Sequence, residues 1–288
     1  MSIAPRSIWQ IGLVVDDLEA AAAELGSVLG LEFEEPIAQS PGGNDIRVTL
    51  SRTGLPYFEL IEGAAAGPWD GHTGSRLDHL AYFADDLAAE RERLVAEGFP
   101  VIIDGAAMGI AGTYHLLPRT NVRIQPVDGT ARPRLQERWG LENLDGPWLP
   151  ASPWQLGFMV DDQDAARDEL SRALGLEWSP VKARGRDGTL KVCMSLGDAP
   201  PYFELVDAGP SSDFTWRPAP RFDHLAYWAE DLEAESARLT DIGAPLVQVA
   251  RPGELLFHHA PKSGVRLELM AGAYREKIRA GWDLENVG

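Results

Sequence analysis

Two strings constrain this chain more than anything else in it: RLDHLAYFADDLAAERERL around His79 and RFDHLAYWAEDLEAESARL around His224. They lie 145 residues apart, and other stretches keep the same offset. WQIGLVVDD, with Gln10, returns as WQLGFMVDD, with Gln155. PYFELIE, with Glu59, returns as PYFELVD, with Glu204. Further on, Gln125 returns as Glu268 and Trp139 as Trp282, at an offset of 143. Self-similarity at this period means a duplicated domain rather than a solenoid of short repeats. A length of 288 residues suits two domains of ordinary size.

Each half also repeats internally. IWQIGLVV alternates like a strand; DDLEAAAAELGSVLG then starts at an acidic cap, Asp16 or Asp17, carries Leu18, Ala22, Leu25 and Leu29 at helical spacing and stops at Gly30. DIRVTLSR and PYFELIE read as strands around a turn at Gly54. LDHLAYFA, DDLAAERERLVAEG, FPVIID, TYHLLP and NVRIQPVD repeat that order of strand, helix and strands. The first domain is therefore expected over 1–130, with units at 8–62 and 76–128. A Pro- and Gly-rich linker is expected over 131–150, a second domain over 151–272, with units at 153–207 and 221–270, and a tail over 273–288. Each tail segment with one Trp, such as QERWGLENL, reads as a short helix sealing a domain edge.

The net charge of −18 repels phosphate, which disfavours nucleic acid and anionic membranes as partners. A single cysteine, Cys193, excludes an internal disulfide and a Cys-rich zinc site; it reads as a small buried hydrophobe in a strand. MSIAPRSIWQ has no apolar signal core, so a soluble cytoplasmic protein is expected, with a small-molecule substrate and room for a homodimer.

Side chains two apart on a strand share a face. Gln10 therefore shares one with Gly12 and Val14, Glu59 with Tyr57 and Ile61, His79 with Ala81 and Phe83, and Gln125 with Arg123 and Val127. Trp9, Ile11, Leu13 and Val15 take the other face, so Trp9 and its repeat Trp154 are expected under the helices. A carboxylate on an otherwise apolar strand is costly to bury unless it is paired or bound to metal. One such His or Glu would be read as a hydrogen-bonded core residue. Four positions repeated across two domains point instead to metal ligands lining a cup-shaped sheet.

The strings QIGLVVDDL, YFELIE, DHLAYFADDL and VRLELM resemble the vicinal oxygen chelate superfamily, which includes glyoxalase I, methylmalonyl-CoA epimerase, extradiol dioxygenases and bleomycin-resistance proteins. The resemblance implies an α+β fold of four βαβββ modules, paired into two tandem domains whose open, cup-shaped sheets hold a divalent metal. It implies Gln155, Glu204, His224 and Glu268 as metal ligands in domain two. In domain one it implies a weaker set, Gln10, Glu59, His79 and Gln125, because Gln125 stands where the family usually has Glu. In this family the last carboxylate can act as general base, which makes Glu268 a catalytic residue, assisted by Glu204. The set lacks the two His of Fe(II) ring-cleaving dioxygenases, so Zn, Ni, Co, Mn or Mg is expected ahead of Fe.

The expected activity is redox-neutral proton transfer next to a carbonyl, as in a glyoxalase, isomerase, epimerase or lyase. Two rival readings stay open: a metal-free protein sequestering a hydrophobic ligand, and an Fe(II) dioxygenase. His115 and His258, at corresponding positions, are candidates for substrate contact, as are Arg123 and Arg266, for which pairing with carboxylates is the preferred reading. His72 and His259 read as structural.

Overall fold

The computed structural model of the protein describes residues 7–52, 55–72, 74–105, 108–141, 144, 152–184, 190–197, 200–208 and 219–282. The first module runs β1 (Gln10–Val14), α1 (Leu18–Leu29), β2 (Ile37–Gln39), β3 (Ile46–Leu50) and β4 (Tyr57–Gly63). The second runs β5 (Arg76–Ala84), α2 (Leu87–Ala96), β6 (Val101–Asp104), β7 (Thr113–Leu117) and β8 (Val122–Asp128), followed by α3 (Arg132–Trp139). The third comprises β9 (Gln155–Val160), α4 (Gln163–Leu174), β10 (Glu177–Trp178), β11 (Lys182–Arg184), β12 (Leu190–Leu196) and β13 (Tyr202–Asp207). The fourth comprises β14 (Arg221–Ala229), α5 (Leu232–Asp241), β15 (Leu246–Arg251), β16 (Leu255–Ala260) and β17 (Val265–Ala271), followed by α6 (Arg275–Trp282). The fold is α+β, built from four βαβββ modules in two tandem domains. The turn expected at Gly54 lies outside the described residues.

The helix starts follow from the acidic pairs. Asp17, Asp86, Asp162 and Asp231 each accept a hydrogen bond from the backbone N–H three residues on, satisfying a donor that has no partner inside the helix. Gly30 and Gly175 end α1 and α4 in the left-handed conformation, at φ 71° and 76°.

The first domain is an eight-stranded sheet ordered β2-β3-β4-β1-β5-β8-β7-β6. The second repeats that order as β10-β12-β13-β9-β14-β17-β16-β15, with β11 also on β12. Within a sheet the two modules join through the antiparallel pairs β1–β5 and β9–β14. The first strand of each module pairs in parallel with its last. Each cup is therefore lined at its centre by four strands, the first and last of two modules.

The convex faces of the two sheets share one apolar core. Ile11, Leu13 and Leu80 of the first sheet and Leu156, Phe158 and Leu267 of the second belong to a single buried cluster with the helix residues Leu25, Leu94, Leu170 and Leu239. Burial of this area from water is the main stabilising term. Polar ties across the interface also repeat. Arg93 of α2 donates to the carbonyls of Arg172 and Ala173 at the end of α4, and Arg238 of α5 to those of Ser27 and Val28 at the end of α1, all within 2.9 Å. Buried Glu169 of α4 accepts from the Arg119 and Thr120 amides and the Thr120 hydroxyl. Glu24 of α1 accepts likewise from Lys262 and Ser263. Cys193 is buried in the shared core, as expected, and burial pushes its thiol up to about 12.

The tryptophans depart from expectation. Trp9 is not under the helices but in the cup of domain one, stacked on Phe83 at 4.9 Å between ring centroids. Trp154 lies in the cup of domain two against Tyr202 and Trp228, at 5.3 and 5.1 Å. Strict alternation holds only inside a regular strand, and β1 and β9 begin one residue later, at Gln10 and Gln155. Trp139 and Trp282 of the tail helices also enter the two cups. Among the described residues no helix is long and apolar enough to cross a membrane.

Glu169→Ala leaves two backbone amides of the β7–β8 turn without acceptors at a buried site. It is expected to lower the unfolding free energy by about 1–3 kcal/mol, measured by denaturant titration. Glu24→Ala, at a half-buried position, should cost less.

Candidate metal centre

The centre of each cup follows from strand register. In domain two, Gly157 of β9 stands between Glu204 of β13 and His224 of β14. One step along, Ala226 stands between Gln155 and Glu268. Small residues alternate with long polar ones, so the polar tips can lean together over the gaps. A Cβ placed on Gly157 would lie 2.0 Å from His224 Cε1, so only glycine lets the imidazole lie there. Domain one repeats the arrangement, with Gly12 between Glu59 and His79 and Ala81 between Gln10 and Gln125. A Cβ on Gly12 would likewise lie 2.0 Å from His79 Cε1.

The four positions of domain two do converge. His224 Nε2 is 3.4 Å from Glu204 Oε2 and 3.3 Å from Glu268 Oε2. The Gln155 amide nitrogen is 2.9 Å from Glu204 Oε2, 3.1 Å from His224 Nε2 and 3.4 Å from Glu268 Oε2. Half a turn of that amide exchanges its nitrogen for its oxygen, offering a fourth ligand atom. Among the described residues, Glu204, His224 and Glu268 form a group with ligand atoms within 4.8 Å of one another. In domain one, His79 Nε2 is 3.2 Å from the Gln10 amide nitrogen and 3.3 Å from Glu59 Oε2. Gln125 is buried at the position of Glu268 and brings no charge.

Both histidines are held from behind by a residue the parity argument missed. A register shift between Phe222 and His224, and a matching one opposite Gly12 and Leu13, makes Asp223 and Asp78 the extra residues of a bulge. Each aspartate then reaches Nδ1 of the neighbouring His, at 3.1 and 3.2 Å. Such a bond fixes the ring and turns Nε2 towards the cup, as second partners of metal-bound histidines do. The aspartate before each His was visible in both DHLAY strings; strand alternation alone assigns it to the wrong face.

Arg123 and Arg266 belong to this support rather than to the substrate surface. Arg123 donates to Asp78 at 2.9 Å and to the Pro68 carbonyl, and Arg266 donates to Asp223 at 2.5 Å and to Gln248. His115 and His258 are not brought to either cup. His115 is tied through Nδ1 to the Phe99 carbonyl and through Nε2 to Thr113, and His258 to the Ala244 carbonyl and Ser236. Their strand parity is opposite to that of Tyr114 and Phe257, which meet the His79 and His224 rings edge-on at 5.2 and 5.3 Å. His72 lies in an exposed loop beside Asp70, away from both centres.

The electrostatics suit a cation. Burial, and then the charge of nearby Glu268, raise the Glu204 carboxyl above its ordinary value against the pull of His224. Burial would lower His224, but Asp223, Glu204 and Glu268 overcome it and raise the imidazole well above the usual range. His79 is pushed up to about 9, because Asp78 and Glu59 outweigh the desolvation that would lower it. Burial would raise Asp223, yet the His224 bond and the Arg266 and Arg221 charges hold it low. Two carboxylates, an imidazole and an amide oxygen around one point form a donor set that fits a divalent cation. Without the second carboxylate, the domain one set fits less well.

The domain two centre opens into a cavity of about 920 Å³. In domain one Trp9, Trp69, Tyr114, Trp139, Leu141 and Leu144 belong to one buried cluster, as Trp154, Tyr202 and Trp282 do in domain two.

Asp223→Asn should weaken metal affinity by about 10–100-fold, read by competition with a fluorescent chelator. The raised His79 value adds stability to the metal-free protein that is fully present below the ordinary pKa of 6.5 and is lost as pH rises through about 9. A cation must displace that proton, so metal affinity at His79 should climb over the same interval. Thermal midpoints and metal titrations across that range check both signs.

Comparison with known proteins agrees with this architecture. The description of the glyoxalase/bleomycin resistance protein/dioxygenase superfamily matches residues 9–116 and again 154–260. An ethylmalonyl-CoA/methylmalonyl-CoA epimerase of Cereibacter sphaeroides is 33% identical over 98 residues, which is 33% of this chain and 73% of that protein. Among solved structures, a mutant 4-hydroxymandelate synthase from Streptomyces coelicolor superposes with a TM-score of 0.61 at 17% identity, covering 93% of each chain. A Mn(II)-bound glyoxalase from Novosphingobium aromaticivorans superposes at 0.58 with 16% identity, covering 93% of this chain and 82% of that one. The chain belongs to the glyoxalase/bleomycin resistance protein/dioxygenase superfamily and carries two copies of its domain.

Proposed function

We propose that the cup of domain two is the active site of a metal-dependent enzyme that moves a proton at a carbon next to a carbonyl. The observation that carries this reading is the convergence of Glu204, Glu268, His224 and Gln155 on one buried point. When bound there, a divalent cation polarises a carbonyl oxygen and stabilises the charge that develops on it. Gln155, Glu204, His224 and Glu268 would hold it, with Asp223 orienting the imidazole.

The chain's own residues supply the rest. Glu268 takes the proton from the carbon, and its approach is from the module facing Glu204. Burial raises the Glu204 carboxyl, which suits it to return a proton to the other face of the substrate. Two carboxylates from opposite modules suit an isomerase or epimerase. The relative named as an acyl-CoA epimerase lends support. The donor set also favours this reading over oxygen chemistry, since the usual Fe(II) triad has two His and one carboxylate. Domain one serves as a supporting half: Gln125 neither balances a dication nor accepts a proton.

The test is exchange of solvent deuterium into the carbon next to the carbonyl of 2-oxo acids and acyl thioesters, followed by NMR. Glu268→Gln should slow exchange by about 10²–10⁴-fold while elemental analysis still finds about one divalent ion per chain. Undiminished exchange in that variant removes Glu268 as base. Metal-free protein with full exchange removes the metal.

A further inference from the structure

The mouth of the domain two cavity carries a charge that the composition of the chain does not predict. The chain has 44 acidic against 26 basic residues. Yet Lys182, Arg184, Arg251 and Lys277 line this mouth with Glu254 as the acidic residue among them. Glu254 pairs with Arg251 at 3.0 Å and Lys277 at 3.3 Å. Lys182 and Arg184 have no carboxylate partner among the described residues. They stand over the ring of Trp282, 4.6 and 5.2 Å from its centroid. Trp282 is itself buried, so it fixes both cations at the rim without neutralising them.

Duplication supplies an internal control. Lys182 pairs with Val192 and Arg184 with Leu190. In domain one the same register places Ile37 opposite Val48 and Gln39 opposite Ile46. Both cations are therefore missing from the half whose floor carries Gln125 and present in the half whose floor carries Glu268. Between rim and floor the wall is apolar: Met159, Val192, Met194, Val206 and Met270. The cavity thus has three zones in sequence: a ligand set at the floor, an apolar wall and a cationic rim.

We infer that the substrate is an elongated anion, with a chelating oxygen group at the floor, an apolar middle and a carboxylate or phosphate held at the rim by Lys182 and Arg184. Arg251 and Lys277 add to the attraction from the other side of the mouth. This rests on the reading that the floor binds a metal and the reacting carbonyl. The rim selects among substrates and touches none of the reacting atoms.

The test uses metal-loaded full-length protein and three alkyl hydroxamates of one chain length, whose far ends are a carboxylate, a phosphate monoester or a methyl group. The hydroxamate head chelates a divalent ion. Calorimetry should show one or both anionic compounds binding about tenfold tighter than the methyl-ended one, the size of one charge-assisted hydrogen bond. Whichever anion binds tighter identifies the terminal group. The advantage should shrink as salt is raised. In Lys182→Gln/Arg184→Gln the advantage should vanish while the methyl-ended compound keeps its affinity. Both side chains are half-exposed on edge strand β11, and an unchanged thermal midpoint verifies the fold. Equal binding of all three compounds to the unaltered protein, or an advantage that survives in the double variant, overturns the proposal. Metal-stripped protein separates the two readings. Loss of affinity for all three compounds with their order kept upholds both. Undiminished affinity with the order kept upholds the rim and overturns the metal centre.

Discussion

The imidazole of His224 lies over Gly157, in a space that a single added carbon would close. That contact decides how near Glu204 and His224 can come, because Gly157 sits between them in the sheet. The bulge at Asp223 complements it from the other side, bringing a carboxylate to Nδ1 so that Nε2 points into the cup. Arg266 and Arg221 then anchor Asp223. The same series, Gly12, His79, Asp78 and Arg123, recurs in domain one. The polar centre is thus a property of the module pairing, built twice by one set of rules. Groups held by neighbours on several strands lose little freedom when a ligand binds, which is the physical content of preorganisation.

The two domains are not two independent cups. Their convex faces enclose one helix layer and one apolar core, so burial stabilises both sheets together. The polar ties at this interface run from α1 and α4 to turns of the other sheet, and from arginines of α2 and α5 to the ends of α4 and α1. A helix end carries unpaired carbonyls, and an arginine fork satisfies two at once. Domain one can therefore lose its own chemistry and still be required, because without it the helix face of domain two would meet water.

After duplication the two cups have come to differ in charge. The change from Glu268 to Gln125 removes one negative charge from the floor, and Ile37 and Gln39 take the places of the rim cations. Domain two keeps its floor charged and its cavity open. A buried cation needs compensating charge, and the floor carboxylate and the rim cations vary together between the halves.

Much of this was legible in the residues. The offset of 145 fixes the duplication, acidic pairs followed by apolar spacing mark the helix starts, and strand parity puts Gln155, Glu204, His224 and Glu268 on one face. These are local regularities, set by the periods of strand and helix, and local regularities are written directly into a chain. Parity fails where the backbone leaves those periods. It assigned Trp9 and Trp154 to the helix side, although each precedes the regular part of its strand, and it could not see that a bulge turns Asp78 and Asp223 towards the histidines. It left His115 and His258 as candidates, because only folding shows that their rings are bonded to the Phe99 and Ala244 carbonyls on the far side of the sheet. The basic rim escaped as well: Lys182 and Arg184 lie on β11, Arg251 on β15 and Lys277 on α6, and only the fold gathers them at one opening. The sequence alone determined which residues repeat and which way strands and helices alternate. Tertiary structure decided which distant groups meet, because that depends on register, bulges and the packing of one sheet against the other.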